Sequence, residues 1–419
     1  MAGFLPTEQL LDCVHCGLCH SACPTYVELG TEADSPRGRI HLMAALQDDT
    51  VALDDAVVEH LDLCLGCRGC ETACPSGVRY GALIEAVRPW IEARHRRPAT
   101  ARMRRWVTLG VLPYRGRVAL LLAPLRLLDR WGLLARLRGA AQRLFPSLRY
   151  VLGLLPSPLV RAVVPARVPA EGASRQSARL LVGCVMPELF GATVNNTIDI
   201  LRRVDVTVLV PRRQGCCGAL SLHAGDRETA RRLARANIEA FETSDPLAPI
   251  VVNAAGCGAC LREYGELLAD DPRYAARARR LAARVRDVTE IVEVGSLPPF
   301  PPASGSHRVA YHDPCHLAHA QGIRDAPRRL VAAIPGLTLV PMEDEDLCCG
   351  SAGHYNVMQP AMARRLVTRK VAAIRASGAD VVATANAGCA LQLEAGLRAE
   401  GLDIPVRHVV DLLADAYRR

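Results

Sequence analysis

The segments CVHCGLCHSACP at residues 13–24 and CLGCRGCETACP at residues 64–75 both follow the pattern C-x2-C-x2-C-x3-C-P. Thiolates bind metals strongly, and three of them at this spacing can wrap three corners of one 4Fe-4S cubane. The fourth cysteine lies beyond a turn, so it points away from its own loop and reaches the other cluster. Structural zinc is the common alternative for a single C-x2-C pair, but two complete runs ending in proline favour iron–sulfur clusters.

The two runs therefore predict two 4Fe-4S clusters with crossed ligands. One cluster is assigned to Cys13, Cys16, Cys19 and Cys74, and the other to Cys64, Cys67, Cys70 and Cys23. Between the runs, residues 38–46 and 51–61 have amphipathic helical patterns. We therefore expect residues 1–90 to form an α-helical two-cluster ferredoxin domain. Gly17, Gly66 and Gly69 fit loop positions that need a positive φ.

The turn DSPRGR at residues 34–39 leads into one of these helices. Its arginines, Arg37 and Arg39, either offset cluster charge or bind a partner carboxylate. Helix capping with solvated arginines is an equally good interpretation. His15 and His20 lie within the first run, and we expect them to be polar neighbours because the cysteine ligands are already complete.

The composition is typical of a multidomain globular protein. The chain has 419 residues, half of them hydrophobic, and its 17 cysteines occur in clusters, as metal ligands do. The sequence does not open with a basic segment followed by an apolar one, so we expect reduced thiols and a cytoplasmic location. The longest apolar runs are shorter than the roughly 20 residues that span a bilayer, so no transmembrane segment is expected.

The segment between the cysteine-rich ends is basic. Residues 88–179 contain 19 arginines and three acidic residues. Leucine and arginine alternate there at helical spacing, which predicts a linker of short amphipathic helices at residues 91–177. The expected breaks are Pro98, Pro113, Pro124 and Pro146.

Two roles for this linker stay open. Its helices either connect the domains with their arginines solvated, or they form a docking face for an acidic partner or an anionic membrane surface. Basic helices without a recognised motif do not indicate nucleic-acid binding.

The second half of the chain repeats itself. In each copy one cysteine precedes a Cys-Cys-Gly triplet and another follows it, with one more at the end of the first copy, and equivalent positions are offset by 131 or 132 residues. Such an offset indicates an internal duplication, which we divide into modules at residues 178–300 and 301–419. The first set is Cys184, Cys216, Cys217, Cys257 and Cys260, and the second is Cys315, Cys348, Cys349 and Cys389. In the second module, Gln392 occupies the position equivalent to Cys260 of the first.

Short apolar runs alternate with helical patterns in each module, which predicts two α/β units with mostly parallel sheets. The cysteines follow the strands, so their loops are expected to meet at one edge of each sheet. Each set has enough thiols for a further cluster. Zinc and thiol–disulfide chemistry of the adjacent cysteines are the alternatives.

Four polar residues surround Cys315. His312, Asp313, His316 and His319 are candidates for hydrogen bonds to the cysteine ligands. Helix capping by Asp313 and ordinary surface histidines form the alternative interpretation.

With both halves in view, the chain resembles the iron–sulfur subunits of glycolate oxidase (glycolate dehydrogenase). The resemblance rests on CVHCGLCHSACPTY, DSPRGRIHLM and CLGCRGCETACPSGV, and on two CCG cysteine-rich domains of the kind also seen in heterodisulfide reductase. It covers nearly the whole chain and implies an α+β multidomain protein with two 4Fe-4S clusters. One or two further clusters in the CCG domains are also implied, although Gln392 departs from the full motif.

The resemblance also implies partners. Flavin-containing dehydrogenase subunits would oxidise the substrate within a cytoplasmic complex, and peripheral contact with the inner face of the cell membrane or with a quinone is part of that expectation. The sequence itself contains no G-x-G-x-x-G, P-loop or catalytic triad pattern, so we expect no catalytic residue in this chain.

The leading interpretation is thus an electron-transfer subunit of a flavin-dependent glycolate or other 2-hydroxy-acid dehydrogenase. The alternatives are the equivalent subunit of an anaerobic glycerol-3-phosphate or lactate dehydrogenase, and a heterodisulfide-reductase-like enzyme that cleaves a disulfide in its first module.

Overall fold

The structure is a computed structural model, and it describes residues 5, 7–144, 153–156, 158–242, 247–303 and 305–418. Among these residues, helices alone form the N-terminal part, and the β-strands begin at Arg167. The strands form two sheets, each covered by helices. The predicted α+β multidomain class is confirmed.

The N-terminal helices share one apolar core. They span Thr7–Leu11, Pro24–Leu29, Pro36–Gln47, Asp55–Asp62, Gly69–Thr72 and Tyr80–Arg94, with a 3-10 turn at Glu32–Asp34. Met43 and Leu61, from the two predicted amphipathic stretches, are fully buried in this core. Ser35 begins the longer of these two helices, since its hydroxyl accepts a hydrogen bond from the Gly38 N–H at 3.0 Å.

The first part of the predicted linker, up to residue 144, contains three helices, Ala99–Val111, Arg115–Arg130 and Leu133–Leu144. Near its end, residues 167–168 and 176–177 already belong to strands of the first sheet. Pro98 and Pro113 lie at helix boundaries, as predicted. The predicted break at Pro124 is wrong, because this proline lies inside the second helix. Pro124 and Leu120, whose carbonyl loses its helical partner, are both exposed, so water can replace the missing hydrogen bond. Pro146 lies outside the described residues.

A buried carboxylate anchors the linker to the first sheet domain. Glu188 is fully buried, and it accepts hydrogen bonds from Arg115 Nε at 3.0 Å and Arg126 Nη2 at 2.7 Å. Burial alone would raise the pKa of Glu188, but the two guanidinium groups outweigh that effect and lower it.

The first sheet contains β1 (Arg167–Val168), β2 (Gln176–Leu181), β3 (Val206–Leu209), β4 (Ile250–Val252) and β5 (Val285–Asp287). The strand order is β1-β3-β2-β4-β5, and every neighbouring pair is parallel except β1 with β3. The surrounding helices are Met186–Leu189, Gly191–Arg203, Ala219–His223, Arg227–Phe241, Ala255–Arg262, Tyr264–Leu267, Ala275–Ala282 and Val288–Ile291.

The second sheet repeats this topology. It contains β6 (His307–Tyr311), β7 (Leu337–Val340), β8 (Val381–Thr384) and β9 (Val406–His408), all parallel, in the order β7-β6-β8-β9. Its helices are Cys315–Ala318, Asp325–Ala332, Tyr355–Met358, Pro360–Ser377, Ala387–Ala399 and Val409–Tyr417. The order matches β3-β2-β4-β5 of the first sheet, so the duplication seen in the cysteines is also present in the fold.

The two sheet domains pack against each other through helix Gly191–Arg203 and the C-terminal helix. Thr193 Oγ1 and Asn196 Nδ2 donate hydrogen bonds to the Asp411 carboxylate at 2.8 and 2.7 Å. Around this polar contact lies a continuous apolar core shared by both domains, in which Leu413 is fully buried. The cysteine-bearing edges of the sheets are therefore held in a fixed relation.

We expect Leu413→Ala to destabilise the protein by about 2–5 kcal/mol, because it leaves a cavity in the core that joins the two domains. Urea unfolding followed by circular dichroism under anaerobic conditions measures this loss. Val163→Ala is the control, since Val163 is exposed and its truncation should change the stability by less than about 0.5 kcal/mol. Equal effects of the two substitutions would contradict the described packing.

Candidate metal centres

The second cysteine run surrounds a single cavity. Cys64, Cys67 and Cys70 of this run line it together with Cys23 of the first run. The Gly66 N–H donates to Cys64 Sγ at 3.3 Å, and hydrogen bonds to sulfur of this kind tune bound clusters. The cavity thus has the four-sulfur donor set that the crossed assignment requires.

A buried arginine lies beside this cavity. Arg39 is 1% exposed, its Nη1 lies 3.9 Å from Cys23 Sγ, and its Nη2 donates to Thr25 Oγ1 at 3.0 Å. The interpretation as a solvated arginine is therefore wrong for Arg39, whose cation can offset the charge of an anionic cluster. Arg37 remains near the surface, where it pairs with Glu32 at 2.6 Å.

The first cysteine run lies at the protein surface. Cys16 is exposed, and Leu11, Val14 and Leu18 around it are 75, 66 and 59% exposed. Cys13, Cys19 and Cys74 are half-buried against the core of the N-terminal helices. The two runs therefore differ in access to solvent.

The loop glycines have two different functions. Gly17 and Gly66 have φ of +83° and +64°, as predicted. The same prediction for Gly69 is wrong, because Arg68 has the positive φ instead. Gly69 is needed for space, since a Cβ there would lie 2.9 Å from the Ala22 carbonyl oxygen.

The five thiols of the first module converge at the ends of β2, β3 and β4. Cys217 Sγ lies 3.2 Å from Cys257 Sγ, and Cys260 Sγ donates to the Cys217 carbonyl at 3.3 Å. Cys216 interacts with both Cys184 and Cys217. The structure thus brings together all five predicted residues of this set.

These contacts shift the pKa values of the thiols strongly. Hydrogen bonding with Cys216, Cys257 and Cys260 lowers the pKa of Cys217 well below its usual value, and the same contact with Cys217 raises the pKa of Cys257 and Cys260. In the N-terminal domain, burial raises the pKa of Cys67. Thiolates in such places need a bound cation to compensate their charge.

The second module has a smaller set with the same arrangement. Cys315 Sγ lies 3.9 Å from Cys348 Sγ, and Cys349 interacts with both Cys348 and Cys389. Gln392 is fully buried, and its Nε2 donates to a backbone carbonyl at 3.2 Å. Its side chain is therefore bonded to protein atoms at the position equivalent to the fifth thiol.

The polar residues around Cys315 are mostly buried. A nitrogen of His312 and the sulfurs of Cys349 and Cys389 lie within 4.8 Å of one another. His316 Nδ1 lies 3.4 Å from Cys315 Sγ. For these two histidines the interpretation as ordinary surface residues is wrong.

The other two residues, His319 and Asp313, form hydrogen bonds with residues other than the cysteines. His319 Nδ1 lies 2.9 Å from Thr72 Oγ1 of the N-terminal domain. Asp313 accepts hydrogen bonds from Arg328 at 2.7 and 2.8 Å and does not cap the following helix.

Sequence reasoning missed three other residues near the sulfurs. His223 and His354 lie near the two sets, six and five residues after the second cysteine of each CCG triplet, a repeat that the duplication could have revealed. Lys370, the single lysine of the chain, is buried, donates to the Asp344 carbonyl and interacts electrostatically with Cys349. Because Lys370 is the single lysine in an arginine-rich chain, the sequence could have indicated that this position is special.

The second cysteine run packs directly on the second module. Leu65 and Cys67 share a small buried cluster with Cys315 and Cys348. The Tyr355 hydroxyl donates to the Leu63 carbonyl at 2.9 Å across the same contact. Sulfur sites of the two domains are therefore adjacent.

These observations fit iron–sulfur clusters. Four thiols enclose one cavity, a backbone N–H points at a sulfur, and a buried cation lies alongside. Thiolate sulfur is the donor that such clusters require.

None of the described helices is both long and apolar enough to cross a bilayer.

Comparison with known proteins agrees with this chemistry. The family described as "4Fe-4S dicluster domain" matches residues 9–78, and the family described as "Cysteine-rich domain" matches residues 178–262 and 309–394. The prediction of iron–sulfur cofactors is confirmed by these matches.

Three curated relatives illustrate the similarity. The chain is 38% identical over 418 residues to the probable glycolate oxidase iron-sulfur subunit of Bacillus subtilis (strain 168), covering 97% of this chain and 94% of that protein. It is 35% identical over 411 residues to the glycolate oxidase iron-sulfur subunit of Escherichia coli (strain K12), with the same coverage. Lactate utilization protein A of Shouchella clausii (strain KSM-K16) is 32% identical over 56% of this chain and 97% of its own length.

The crossed ligand assignment can be tested with single substitutions. Cys23→Ser should remove or distort the same cluster as Cys70→Ser, because both residues line one cavity, with a loss of about four irons if the cluster is not assembled. Iron and acid-labile sulfide analysis and low-temperature EPR of anaerobically purified protein measure this. Cys16→Ser is the control and should alter the other EPR signal. If Cys23→Ser and Cys16→Ser altered the same signal, the crossed assignment would be wrong.

Proposed function

We propose, from the premise that this chain belongs to the family of glycolate oxidase iron–sulfur subunits, that it conducts single electrons within a 2-hydroxy-acid dehydrogenase complex. The observation that carries this proposal is the packing of Cys67 against the buried cluster that contains Cys315 and Cys348. Sulfur sites in adjacent domains offer a continuous path. An iron–sulfur cluster, when bound, takes up and releases one electron at a time.

The ligand sets of this path are those that the spacing of the cysteines predicts. Cys13, Cys16, Cys19 and Cys74 form the first, and Cys64, Cys67, Cys70 and Cys23 form the second. Each CCG module supplies a further set, with five thiols in the first module and four in the second. The roles of the chain's own residues are to hold sulfur, to offset charge through Arg39 and Lys370, and to exclude water.

Electrons enter at the first run in this proposal. Cys16 is exposed, and the apolar side chains of Leu11, Val14 and Leu18 surround it on the surface. An exposed apolar rim of this kind suits a protein interface. We assign it to flavin-containing subunits, which perform the two-electron oxidation of glycolate. Similarity to lactate utilization protein A makes lactate the second candidate substrate.

Substitution of Cys67 tests the path. Cys67→Ser should reduce electron transfer from glycolate to the final acceptor to background in the intact complex, because it removes a ligand at the contact with the second module. The separated flavin subunit should still reduce an artificial dye, which serves as the control. Transfer at the original rate in the intact complex would overturn the proposed path.

The linker supports a second part of the proposal, peripheral docking on an anionic membrane. Its described helices expose many apolar side chains, namely Met103, Trp106, Val107, Leu120, Leu121, Leu127, Trp131, Leu133, Leu137 and Leu144. Arginines alternate with them, and Asp129 is the single acidic residue between residues 99 and 144. Amphipathic helices with aromatic, leucine and cationic side chains bind in the headgroup region of anionic bilayers.

Vesicle binding tests this docking. The anaerobically purified chain should co-sediment with phosphatidylglycerol vesicles and much less with phosphatidylcholine vesicles. Removing Trp106 and Leu120 together by W106A and L120A should lower the binding about tenfold or more, since both side chains bury apolar area in the interface. Leu247→Ala is the control, because Leu247 is 87% exposed but lies outside the linker. Equal binding of all three proteins would contradict membrane docking, as would the absence of vesicle binding by the unmodified chain.

A further inference from the structure

A small cavity lies where the N-terminal helices meet the first linker helix and both CCG modules. It has a volume of about 130 Å³, which is enough for several water molecules or one small organic anion. Each of the four parts of the chain contributes to its wall, for example through Arg88, Ala101, Ala224 and His354. We call it the junction cavity, and a molecule bound in it would contact all four parts.

Positive charge is concentrated in the wall of the junction cavity. The wall contains the guanidinium groups of Arg88, Arg97 and Arg105 and the carboxylates of Asp62 and Glu92. Arg97 donates hydrogen bonds to both carboxylates, and Arg105 pairs with Glu92 at 2.9 Å. Arg88 donates instead to a backbone carbonyl at 2.6 Å and pairs with no carboxylate among the described residues. The guanidinium groups of the wall therefore outnumber its carboxylates by one.

A buried imidazole in the same wall lacks a hydrogen-bond partner. His354 is 8% exposed, and its Nδ1 has no partner among the described residues. Burial and, after it, the charges of Arg105 and Arg88 lower the pKa of His354 to about 3, so the ring is neutral near pH 7 and can donate one N–H. Burying a polar atom without a partner is costly. An anion in the junction cavity would supply the missing acceptor.

Repulsion between the arginines also favours a bound anion. Burial, together with the charges of Arg97 and Arg88, lowers the pKa of Arg105 even though Glu92 lies beside it. Like charges in a partly buried wall destabilise one another. A negative charge placed among the three guanidinium groups would offset this repulsion.

An open, arginine-rich pocket adjoins the junction cavity at the protein surface. Glu92, Arg97 and Arg105 line both spaces, and the outer pocket is also lined by Arg94, Arg96 and Arg102. Cations concentrated at the mouth of a site raise the local concentration of small anions. The surface pocket therefore offers an approach for an anion to the junction cavity.

The rest of the wall suits a ligand with a carbon skeleton. Leu65, Ala101, Ala224 and Met358 form apolar parts of the lining. Guanidinium and imidazole N–H groups bind carboxylate oxygens, whereas the apolar groups can contact only the carbon end of a ligand. Inorganic phosphate has oxygens on all sides, so a small carboxylate fits this mixed wall better.

The junction cavity borders the second cysteine run. Cys64 belongs to the lining of this cavity and to that of the four-sulfur cavity, and Arg88 Nη2 donates to the Cys64 carbonyl at 2.6 Å. A carboxylate bound at Arg88 would add negative charge beside a cluster held by Cys64. In the protein interior such a charge makes the addition of an electron less favourable.

We infer that the junction cavity binds a small carboxylate of the class that a 2-hydroxy-acid dehydrogenase complex consumes and releases, a 2-hydroxy or 2-oxo acid. The regulatory consequence rests on the proposed function. The bound carboxylate slows electron passage through the second cysteine run, so an accumulated acid slows its own oxidation. The carboxylate binds and leaves unchanged, and no covalent or redox step takes place on it at this site.

Calorimetric titration of glyoxylate, a small 2-oxo acid, into the anaerobically purified full chain tests the site without turnover. His354→Leu should raise the Kd about tenfold or more, because it removes a hydrogen bond to a charged group. The Nδ1 of His354 bonds no described residue, so its removal leaves no protein atom unpaired. His41→Leu is the control, since His41 is exposed on helix Pro36–Gln47, and it should bind like the unmodified chain.

A second variant fills the cavity and keeps the test decisive should His354→Leu fail to fold. Ala101→Leu adds a good helix former within helix Ala99–Val111 and occupies the space of the carboxylate, so it should also raise the Kd about tenfold or more. Ala56→Leu, at an exposed helical position, is its control. The inference is overturned if glyoxylate does not bind the unmodified chain, if it binds both cavity variants equally well, or if inorganic phosphate binds more tightly than glyoxylate.

Redox titration followed by EPR tests the regulatory part. Glyoxylate should shift the midpoint potential of the cluster signal that Cys70→Ser alters to more negative values, and Ala101→Leu should abolish this shift. Binding without a shift would overturn the regulation and leave the binding site. If glyoxylate binds and shifts the potential while Cys67→Ser leaves electron transfer intact, the proposed function fails and the carboxylate site stands.

Discussion

The fold of this chain has to hold sets of cysteine sulfurs close together in the protein interior. Cys217 and Cys257 place their sulfurs 3.2 Å apart, and both belong to a set that is almost entirely buried. Desolvated thiolates repel one another, so the whole set can ionise only when a cation neutralises it. Parallel sheets suit this requirement, because the loops after adjacent strands meet at one edge. The same strand order in both sheets brings each set together at that edge.

The cysteine sets differ in exposure, and this difference would give the proposed electron path a direction. The first run is open to solvent at Cys16, whereas the second is enclosed between the N-terminal helices and the second module. The ferredoxin domain is also fixed to the first module by the ion pair of Arg68 with Glu263. An exposed entrance suits a large protein donor, and an enclosed exit limits loss of electrons to other oxidants. The rigid contacts between domains keep these two ends at constant separation.

Sequence reasoning predicted the parts of the fold that depend on local pattern. The short apolar runs that predict strands in the two modules form β2, β3 and β4 of the first sheet and β6, β7 and β8 of the second. The strands β5 and β9 were not predicted, because each has three residues with an exposed arginine at its centre, Arg286 or Arg407. Pro124 looked like a helix break, yet solvent exposure lets the helix continue.

The metal sites could be predicted from the sequence only where their cysteine ligands form a spacing motif. Spacing identified every cysteine, but the surroundings depend on tertiary packing. Arg39 lies next to Cys23 because two helices of the N-terminal core bring it there. The histidines His223 and His354 face one cavity only because the two modules pack face to face.

The two modules have diverged in a way that affects their electrostatics. The second set has four thiols, since the equivalent of Cys260 is Gln392, whose amide is used in hydrogen bonds to Asn356 and to backbone. Lys370 interacts with this set, whereas Ile238, at the equivalent position of the first module, is apolar. Fewer anionic ligands and a nearby amine both stabilise added negative charge. A cluster held by the second set would therefore be the easier one to reduce, and this is also the set whose buried cluster Cys67 packs against. On the proposed path, an electron leaving the second cysteine run would thus first meet the more favourable of the two neighbouring sulfur sites.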